Sequence, residues 1–323
     1  MKSPGGSVGP VVTRRAVTQN SLAPPGSDKK KPGIKATIRS TIESMVSTDS
    51  TVEYFKPNQT IIIFDWDDTL CPSSWICANK RALSFFKPAP NIEKFQKPLK
   101  ELQARVEALL QAAMKLGSVI IVTNAMDPWV ETSCKNFLPQ LLPLVKSLPI
   151  IYARSIFEIH SLDSPHRRRS SPGALGTSSA SKGNLPGIYA ANGQNRLGNQ
   201  ARLASQAQRF DELAPQRWKE VAFEKEIDTF YSRYQHQSWK NIISIGDSIF
   251  ERDAVRNVVL ARPSQEKKCR TKTLKLFDDP SIEELVAQVA VVSEVLNMMV
   301  HYDGELAIEI DEQDLEAQFV AIP

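Results

Sequence analysis

The stretch of sequence that decides the fold is TIIIFDWDDTL, at residues 60–70. Four consecutive apolar residues, Ile61 to Phe64, include three β-branched ones, which predicts a fully buried strand of a parallel sheet. The acidic residues Asp65, Asp67 and Asp68 follow this strand directly. In doubly wound sheets, ligands bind outside the carboxyl ends of the strands. We therefore predict an α/β fold with a ligand site that begins at Asp65.

The spacing of these acids carries chemical information. Asp65 and Asp67 are two positions apart, so in extended geometry both side chains emerge on one face, with Cα atoms about 6 to 7 Å apart. Neighbouring carboxylates repel one another by about 4 kcal/mol per pair at 4 Å and an effective dielectric near 20, unless a cation or a proton relieves them. A bound divalent metal ion is the simplest way to relieve this repulsion. Two carboxylates on one face can also act together on a single substrate.

Strands and helices alternate along the rest of the chain. Further strands are predicted at 119–122, 149–152, 242–245 and 273–277. Helices are predicted from Pro98 to Leu116, around Lys219, and at 251–260 and 282–300. Ser281 and Glu284 form a capping box for the last of these helices. This order predicts a Rossmann-like three-layer sandwich with a mainly parallel central sheet.

Four motifs resemble, in their order, those of the haloacid dehalogenase (HAD) superfamily, whose members are mostly magnesium-dependent phosphatases with an aspartate nucleophile. They are Asp65-x-Asp67-x-Thr69 after the first strand, Thr123-Asn124 after the second, Lys219 in the first turn of a predicted helix, and Gly246-Asp247 with Ser248 and Glu251 after the fourth. The resemblance covers about residues 52 to 300. It implies a hydrolase of phosphoric monoesters that acts through an aspartyl-phosphate intermediate.

The resemblance also assigns a role to each matched residue. Asp65 is expected to be the nucleophile, and Asp67 the acid that protonates the leaving alcohol and later accepts a proton from water. Thr123, Asn124 and Lys219 are expected to bind the phosphoryl oxygens. The expected ligands of Mg²⁺ are the carboxylates of Asp65 and Asp247, the backbone carbonyl of Asp67, and Glu251 as an outer or alternate ligand. Asp68 is expected to be structural.

The space between the motifs leaves little room for a folded cap. About fifty residues separate Leu70 from the second motif, and the helix from Pro98 uses much of them. Residues 161–208 are rich in Ser, Gly, Asn and Gln without apolar periodicity, which predicts a disordered loop and no large folded cap. An open site favours a macromolecular phosphoester such as a phosphoprotein. The basic tracts leave nucleic acid open as an anionic partner.

Composition bounds the location and the domain plan. With 41% hydrophobic and 24% charged residues and no long apolar run, the chain is expected to lie in the cytoplasm or the nucleus, without a membrane partner. Residues 1–50 are expected to be a disordered basic arm, 51–300 the HAD-like domain, and 301–323 an acidic tail. The four cysteines, Cys71, Cys77, Cys134 and Cys269, lack C-x-x-C spacing and are expected to be buried thiols.

Other classes fit the pattern less well. A response-regulator receiver domain needs its acid pair on the first strand but its acceptor aspartate on the third. No G-x-x-x-x-G-K-[ST] loop occurs, which excludes a P-loop kinase. A dehalogenase needs the first aspartate but not Asp67. The alternative that stays open is a catalytically idle HAD-like module whose tails bind partners.

Overall fold

The computed structural model describes residues 53–163, 214–233, 238–263, 265, 267–311 and 315. Within these residues, six strands form one sheet in the order β3-β2-β1-β4-β5-β6. Their bounds are β1 Thr60–Phe64, β2 Ser118–Thr123, β3 Ile150–Tyr152, β4 Asn241–Gly246, β5 Arg270–Lys275 and β6 Leu306–Glu309. Every pairing between neighbours is parallel. The predicted α/β class with a parallel sheet is confirmed.

Eight helices among the described residues cover the sheet. They are α1 Ser73–Ala78, α2 Glu93–Leu116, α3 Trp129–Phe137, α4 Leu142–Lys146, α5 Ala153–Asp163, α6 Ala214–Tyr231, α7 Ile249–Ala261 and α8 Ile282–His301. One apolar core joins the sheet to α2, α3, α4 and α8. A second core on the opposite face joins it to α6, α7 and the start of α5. The protein is therefore a three-layer, Rossmann-like sandwich.

The strand order switches at the β1–β4 pair, because later strands are added on opposite sides of it. Chain order runs outward from β1 through β2 and β3 on one side, and through β4, β5 and β6 on the other. All five residues of β1 are buried, because helices cover both faces of the central strand. The backbone N–H of Asp65 donates to the carbonyl of Ile245, 2.9 Å away. The crevice where such sheets bind ligands opens at the carboxyl ends of these two strands.

Helix α2 begins earlier than predicted. It starts at Glu93, and Pro98 lies inside it, so the prediction that Pro98 begins the helix is wrong. A proline at this position has no N–H to donate to the backbone carbonyl of Lys94. Because Lys94 is exposed, water can donate a hydrogen bond to that carbonyl instead. The apolar residues at helical spacing are buried: Leu99, Leu102, Val106, Leu109, Leu110 and Ala113. The capping box of Ser281 and Glu284 is confirmed.

The folded domain continues past residue 300. Leu306–Glu309 pairs in parallel with β5, so the prediction of an acidic tail from residue 301 is wrong for this segment. Leu306 and Ile308 alternate with exposed residues and pack against the core, which outweighs the local acidity. Helix α5 was not predicted and runs to Asp163, into the stretch expected to be a loop.

Several predictions concern parts of the chain outside the described residues. The basic arm, the rest of the loop and most of the acidic tail belong to these parts. Three of the four cysteines are buried as expected, but Cys77 is exposed, because α1 turns only Ile76 fully inward. None of the described helices has the length and apolar character needed to cross a membrane.

Candidate active site

Three acidic side chains converge at the carboxyl ends of β1 and β4. Asp65 follows β1 directly, Asp247 follows β4, and Glu251 lies in the first turn of α7. One carboxylate oxygen from each can be chosen so that all three atoms lie within 4.8 Å of one another. Asp65 and Glu251 are buried. The topology thus brings together residues that are nearly two hundred positions apart in sequence.

Of the lysines that the structure describes, one lies within this acidic group. Lys219, in the second turn of α6, is only 1% exposed, and its Nζ lies 2.9 Å from Asp65 Oδ2. The same Nζ forms an ion pair with Glu251 Oε1. The helix begins at Ala214, so Lys219 lies one turn further along it than the sequence predicts. A buried ammonium needs such partners, because the free-energy cost of burying an unpaired charge is large.

Burial and the neighbouring charges shift the pKa values of these side chains. Burial raises the pKa of Asp65 well above its usual range; Lys219 opposes this rise, and the carboxylates of Glu251 and Asp247 add to it. Burial, followed by Glu251, raises the pKa of Asp247 to about 7. Burial alone would lower the pKa of Lys219, but Asp65 and Glu251 raise it further than burial lowers it. The lysine therefore stays charged, and one lysine does not offset the rise in the pKa values of Asp65 and Asp247.

Both carboxylate oxygens of Glu251 accept hydrogen bonds. Its Oε2 accepts the backbone N–H of Ser248 at 3.0 Å, within a capping box, while Oε1 accepts from Lys219. Gly246 makes this approach possible: a Cβ there would lie 2.6 Å from Glu251 Cγ. Glu251 thus holds Lys219 against the start of α7. Asp65 and Asp247 remain the acids better placed to bind a cation.

The Asp67 carboxylate has a different set of partners. Its Oδ1 accepts hydrogen bonds from Ser73 Oγ and from Trp129 Nε1, the latter at 2.8 Å. Its Oδ2 accepts from Thr123 Oγ1 at 3.3 Å. All three donors are neutral, in contrast to the lysine that serves Asp65. The two aspartates of the first motif therefore occupy distinct environments.

Asp68 has a structural role, as expected. It adopts the left-handed backbone conformation with φ of 50°, which aspartate tolerates better than most residues. Its carboxylate accepts from both the backbone N–H and the hydroxyl of Ser74, at 2.8 and 2.7 Å. These bonds hold the start of α1 against the acidic loop. Thr69 Oγ1, on the same loop, lies 3.5 Å from Asp247 Oδ1.

Thr123 and Asn124 form the second side of the site. Thr123 Oγ1 accepts the backbone N–H of Ala125 at 3.0 Å and donates to Asp67. Asn124 Nδ2 donates to the carbonyl of Pro215 at 3.3 Å, which ties this loop to the first turn of α6. Asn124 Oδ1 is buried and has no hydrogen-bond partner among the described residues. The loop after β2 is thus linked to the helix that carries Lys219.

The acidic group supplies the oxygen ligands that a hard cation requires. Asp65 Oδ2 is held by Lys219, whereas Asp65 Oδ1 is buried without a hydrogen-bond partner among the described residues. A buried carboxylate oxygen without a donor is unfavourable unless a cation or a ligand compensates it. Carboxylate oxygens are the ligands that Mg²⁺ and Ca²⁺ prefer. The residues present therefore fit a divalent cation between Asp65 and Asp247.

The sequence predicts the acids, the lysine and the threonine of the site but not two of the three donors to Asp67. Ser73 and Trp129 belong to no motif and lie on separate helices. No spacing in the sequence links them to Asp67, since Trp129 has the position of an ordinary first-turn residue after Asp127-Pro128.

In comparisons with known proteins, no family model, curated protein or solved structure matches this chain.

Proposed function

We propose that this protein is a magnesium-dependent phosphatase that acts through an aspartyl phosphate on Asp65. The observation that carries the proposal is the buried Asp65 carboxylate, with Lys219 Nζ 2.9 Å from one oxygen and no partner among the described residues for the other. One oxygen is thereby fixed in place, and the other is available to a cation or to a phosphorus atom. The motif order that resembles the HAD superfamily supports the same reaction.

The first chemical step transfers the phosphoryl group to the protein. A carboxylate oxygen of Asp65 attacks phosphorus, and the bond from phosphorus to the leaving alcohol oxygen breaks. Asp67 in its acid form gives its proton to that oxygen. Lys219, Thr123 and the loop at Asn124 lie around Asp65 and Asp67, where they can hold the phosphoryl oxygens.

The second step releases phosphate. A water molecule attacks the phosphorus of the aspartyl phosphate, and the Asp67 carboxylate accepts a proton from that water. The bond between phosphorus and Asp65 then breaks, which restores the carboxylate and yields inorganic phosphate. Mg²⁺, held by Asp65, Asp247 and the carbonyl of Asp67, would neutralise charge on the phosphoryl oxygens. The role of Glu251 in this scheme is to position Lys219.

The substrate class in this proposal is a macromolecular phosphoester, such as a phosphoprotein. Between β1 and α2 the described chain contains one helix, α1, of six residues, which is too short to form a folded cap. Met126 and Ile249 follow Asn124 and Asp247 by two positions each and are 66% and 46% exposed. Apolar side chains at the rim suit contact with residues that flank a phosphorylated side chain.

Hydrolysis of 4-nitrophenyl phosphate with Mg²⁺ and with excess EDTA tests the activity. We expect turnover with Mg²⁺ that EDTA abolishes. Absence of turnover in both conditions would favour the idle, partner-binding alternative. Phosphopeptides with apolar flanking residues, compared with the same peptides carrying serine at those positions, test the substrate class through kcat/KM.

A further inference from the structure

The Asp67 carboxylate is bound asymmetrically by its neighbours. Two donors, Ser73 Oγ and Trp129 Nε1, converge on Oδ1, whereas within the described parts of the chain Oδ2 has one, longer contact of 3.3 Å to Thr123 Oγ1. These donors come from three different elements: α1, α3 and the end of β2. The carboxylate is therefore held in one orientation relative to the sheet.

The donor at Trp129 differs from the hydroxyl donors in one respect. An indole N–H can donate a hydrogen bond but has no lone pair with which to accept one, whereas a hydroxyl does both. The Asp67 oxygen that faces Trp129 must therefore act as an acceptor whether the carboxyl group is ionised or protonated. In the acid form, the two donors that already occupy Oδ1 favour the proton on Oδ2.

The indole itself is fixed by packing. The ring of Phe85 meets that of Trp129 edge to face, with centroids 4.8 Å apart. Phe85 also packs against Phe137 on α3, and its carbonyl accepts a bond of 2.8 Å from Asn136 Nδ2. The orientation of the indole N–H is thus set by the segment after α1 and by α3 together, not by Asp67 alone.

The geometry points to Trp129 as the positioning residue of the general acid: it fixes Asp67 and leaves Oδ2 as the oxygen that carries the transferable proton. This inference rests on the proposed phosphatase function. Trp129 acts through Asp67 and need not touch the substrate. Without the indole N–H, the carboxyl group can rotate or place its proton on Oδ1, where transfer to the leaving oxygen is misdirected.

Leaving-group dependence distinguishes this role from a merely structural one. A poor leaving group such as phenoxide needs its proton at the moment of bond cleavage, whereas 2,4-dinitrophenoxide leaves without one. Trp129→Phe keeps an aromatic ring against Phe85 but removes the donor. Because Asp67 also serves the second step, the comparison uses kcat/KM, which reports phosphoryl transfer to Asp65. We expect kcat/KM to fall about tenfold or more for phenyl phosphate and by less than about threefold for 2,4-dinitrophenyl phosphate.

The matched control is Trp75→Phe, which removes an indole that packs against Phe95, with ring centroids 5.9 Å apart. It should change kcat/KM for neither substrate by more than about twofold. In an Asp67→Asn background, Trp129→Phe should have little further effect, because both substitutions act on one proton transfer. Equal losses on both substrates, or no loss on either, would overturn the positioning role while the phosphatase proposal stands.

A measurement without turnover covers the case in which Trp129→Phe fails to fold. The indole N–H resonance of Trp129, observed by NMR in protein with ¹⁵N-labelled tryptophan, should shift in Asp67→Asn much more than in Asp68→Asn. A resonance that does not respond to Asp67→Asn would overturn the inference. If the wild type hydrolyses neither aryl phosphate, the proposed function itself fails, and this role of Trp129 fails with it.

Discussion

Lys219 Nζ lies 2.9 Å from Asp65 Oδ2, and both side chains are almost completely buried. At this depth the loss of one partner of an ion pair leaves an uncompensated buried charge. Glu251 anchors the lysine from the other side through the capping box of α7. The lysine therefore orders the proposed nucleophile and offsets part of the repulsion among the surrounding acids.

Lys219→Met should remove both roles. We expect loss of aryl phosphate hydrolysis and, without Mg²⁺, a drop in the free energy of unfolding of about 3 to 5 kcal/mol, as is usual when one partner of a buried ion pair is removed. Urea denaturation measures this drop. The matched control is Lys225→Met, an exposed position on the same helix. Equal stability of the two variants would contradict the account of Lys219.

Asp247 and Glu251 should differ in their effect on the metal. Because both oxygens of Glu251 are engaged by Lys219 and Ser248, Asp247→Asn should weaken Mg²⁺ binding much more than Glu251→Gln does. Isothermal titration calorimetry with Mg²⁺ measures this directly, and the Mg²⁺ concentration for half-maximal activity should follow. If Glu251→Gln has the larger effect on Mg²⁺ affinity, Glu251 is the ligand and this division of roles is wrong.

Gly246 should resist substitution because of Glu251. An added Cβ would lie 2.6 Å from Glu251 Cγ and 2.9 Å from its Cδ, so Gly246→Ala should cost about 1 to 3 kcal/mol of stability and displace Glu251 from Lys219. In a Glu251→Ala background the collision is gone, and the same substitution should cost much less. Urea denaturation of the four proteins gives the coupling. Additive effects would contradict the proposed contact.

A second buried lysine, at the opposite end of the sheet, should make stability depend on pH. Burial, followed by Arg270, lowers the pKa of Lys272 from 10.5 to about 7, and its Nζ bonds to Asn241 Oδ1. Between these two pH values the unfolded chain binds the proton and the folded protein does not. Stability should therefore rise with pH in this window by up to about 1.4 kcal/mol per unit for this group.

Urea denaturation at pH 7.5 and 8.5 measures this slope. Lys272→Met should lack the contribution, so the stability of the wild type relative to this variant should increase with pH. Lys267→Met, at an exposed position, should keep the wild-type slope. Parallel stability curves for the wild type and Lys272→Met would show that Lys272 stays protonated in the folded protein.

Much of the fold follows from local sequence signals. The run Ile61–Phe64 is apolar on both faces, and a strand of this kind is stable only between two layers of helices. The acids after β1 and β4 meet because parallel strands place all their carboxyl ends at one edge. Asp65 and Asp247 could therefore be predicted to be neighbours before any coordinates were known.

Other features depend on contacts that no local pattern encodes. Strand β6 joins the sheet because Leu306 and Ile308 find an apolar surface, although the surrounding sequence is acidic. Trp129 reaches Asp67 because α3 and the loop after β1 are packed side by side, and a single tryptophan gives no signal of this. The commitment of Glu251 to Lys219 likewise became apparent only from the position of α6.

The most direct test of the central claim is hydrolysis of 4-nitrophenyl phosphate with Mg²⁺ by Asp65→Asn, measured beside the wild type. The same substitution at Asp253, whose carboxylate pairs with its neighbour Arg252, is the matched control. We predict turnover by the wild type and by Asp253→Asn, and turnover below about a hundredth of wild type by Asp65→Asn, with an unchanged fold by circular dichroism. An Asp65→Asn protein that keeps a tenth or more of the wild-type rate would contradict the assignment of Asp65 as the nucleophile.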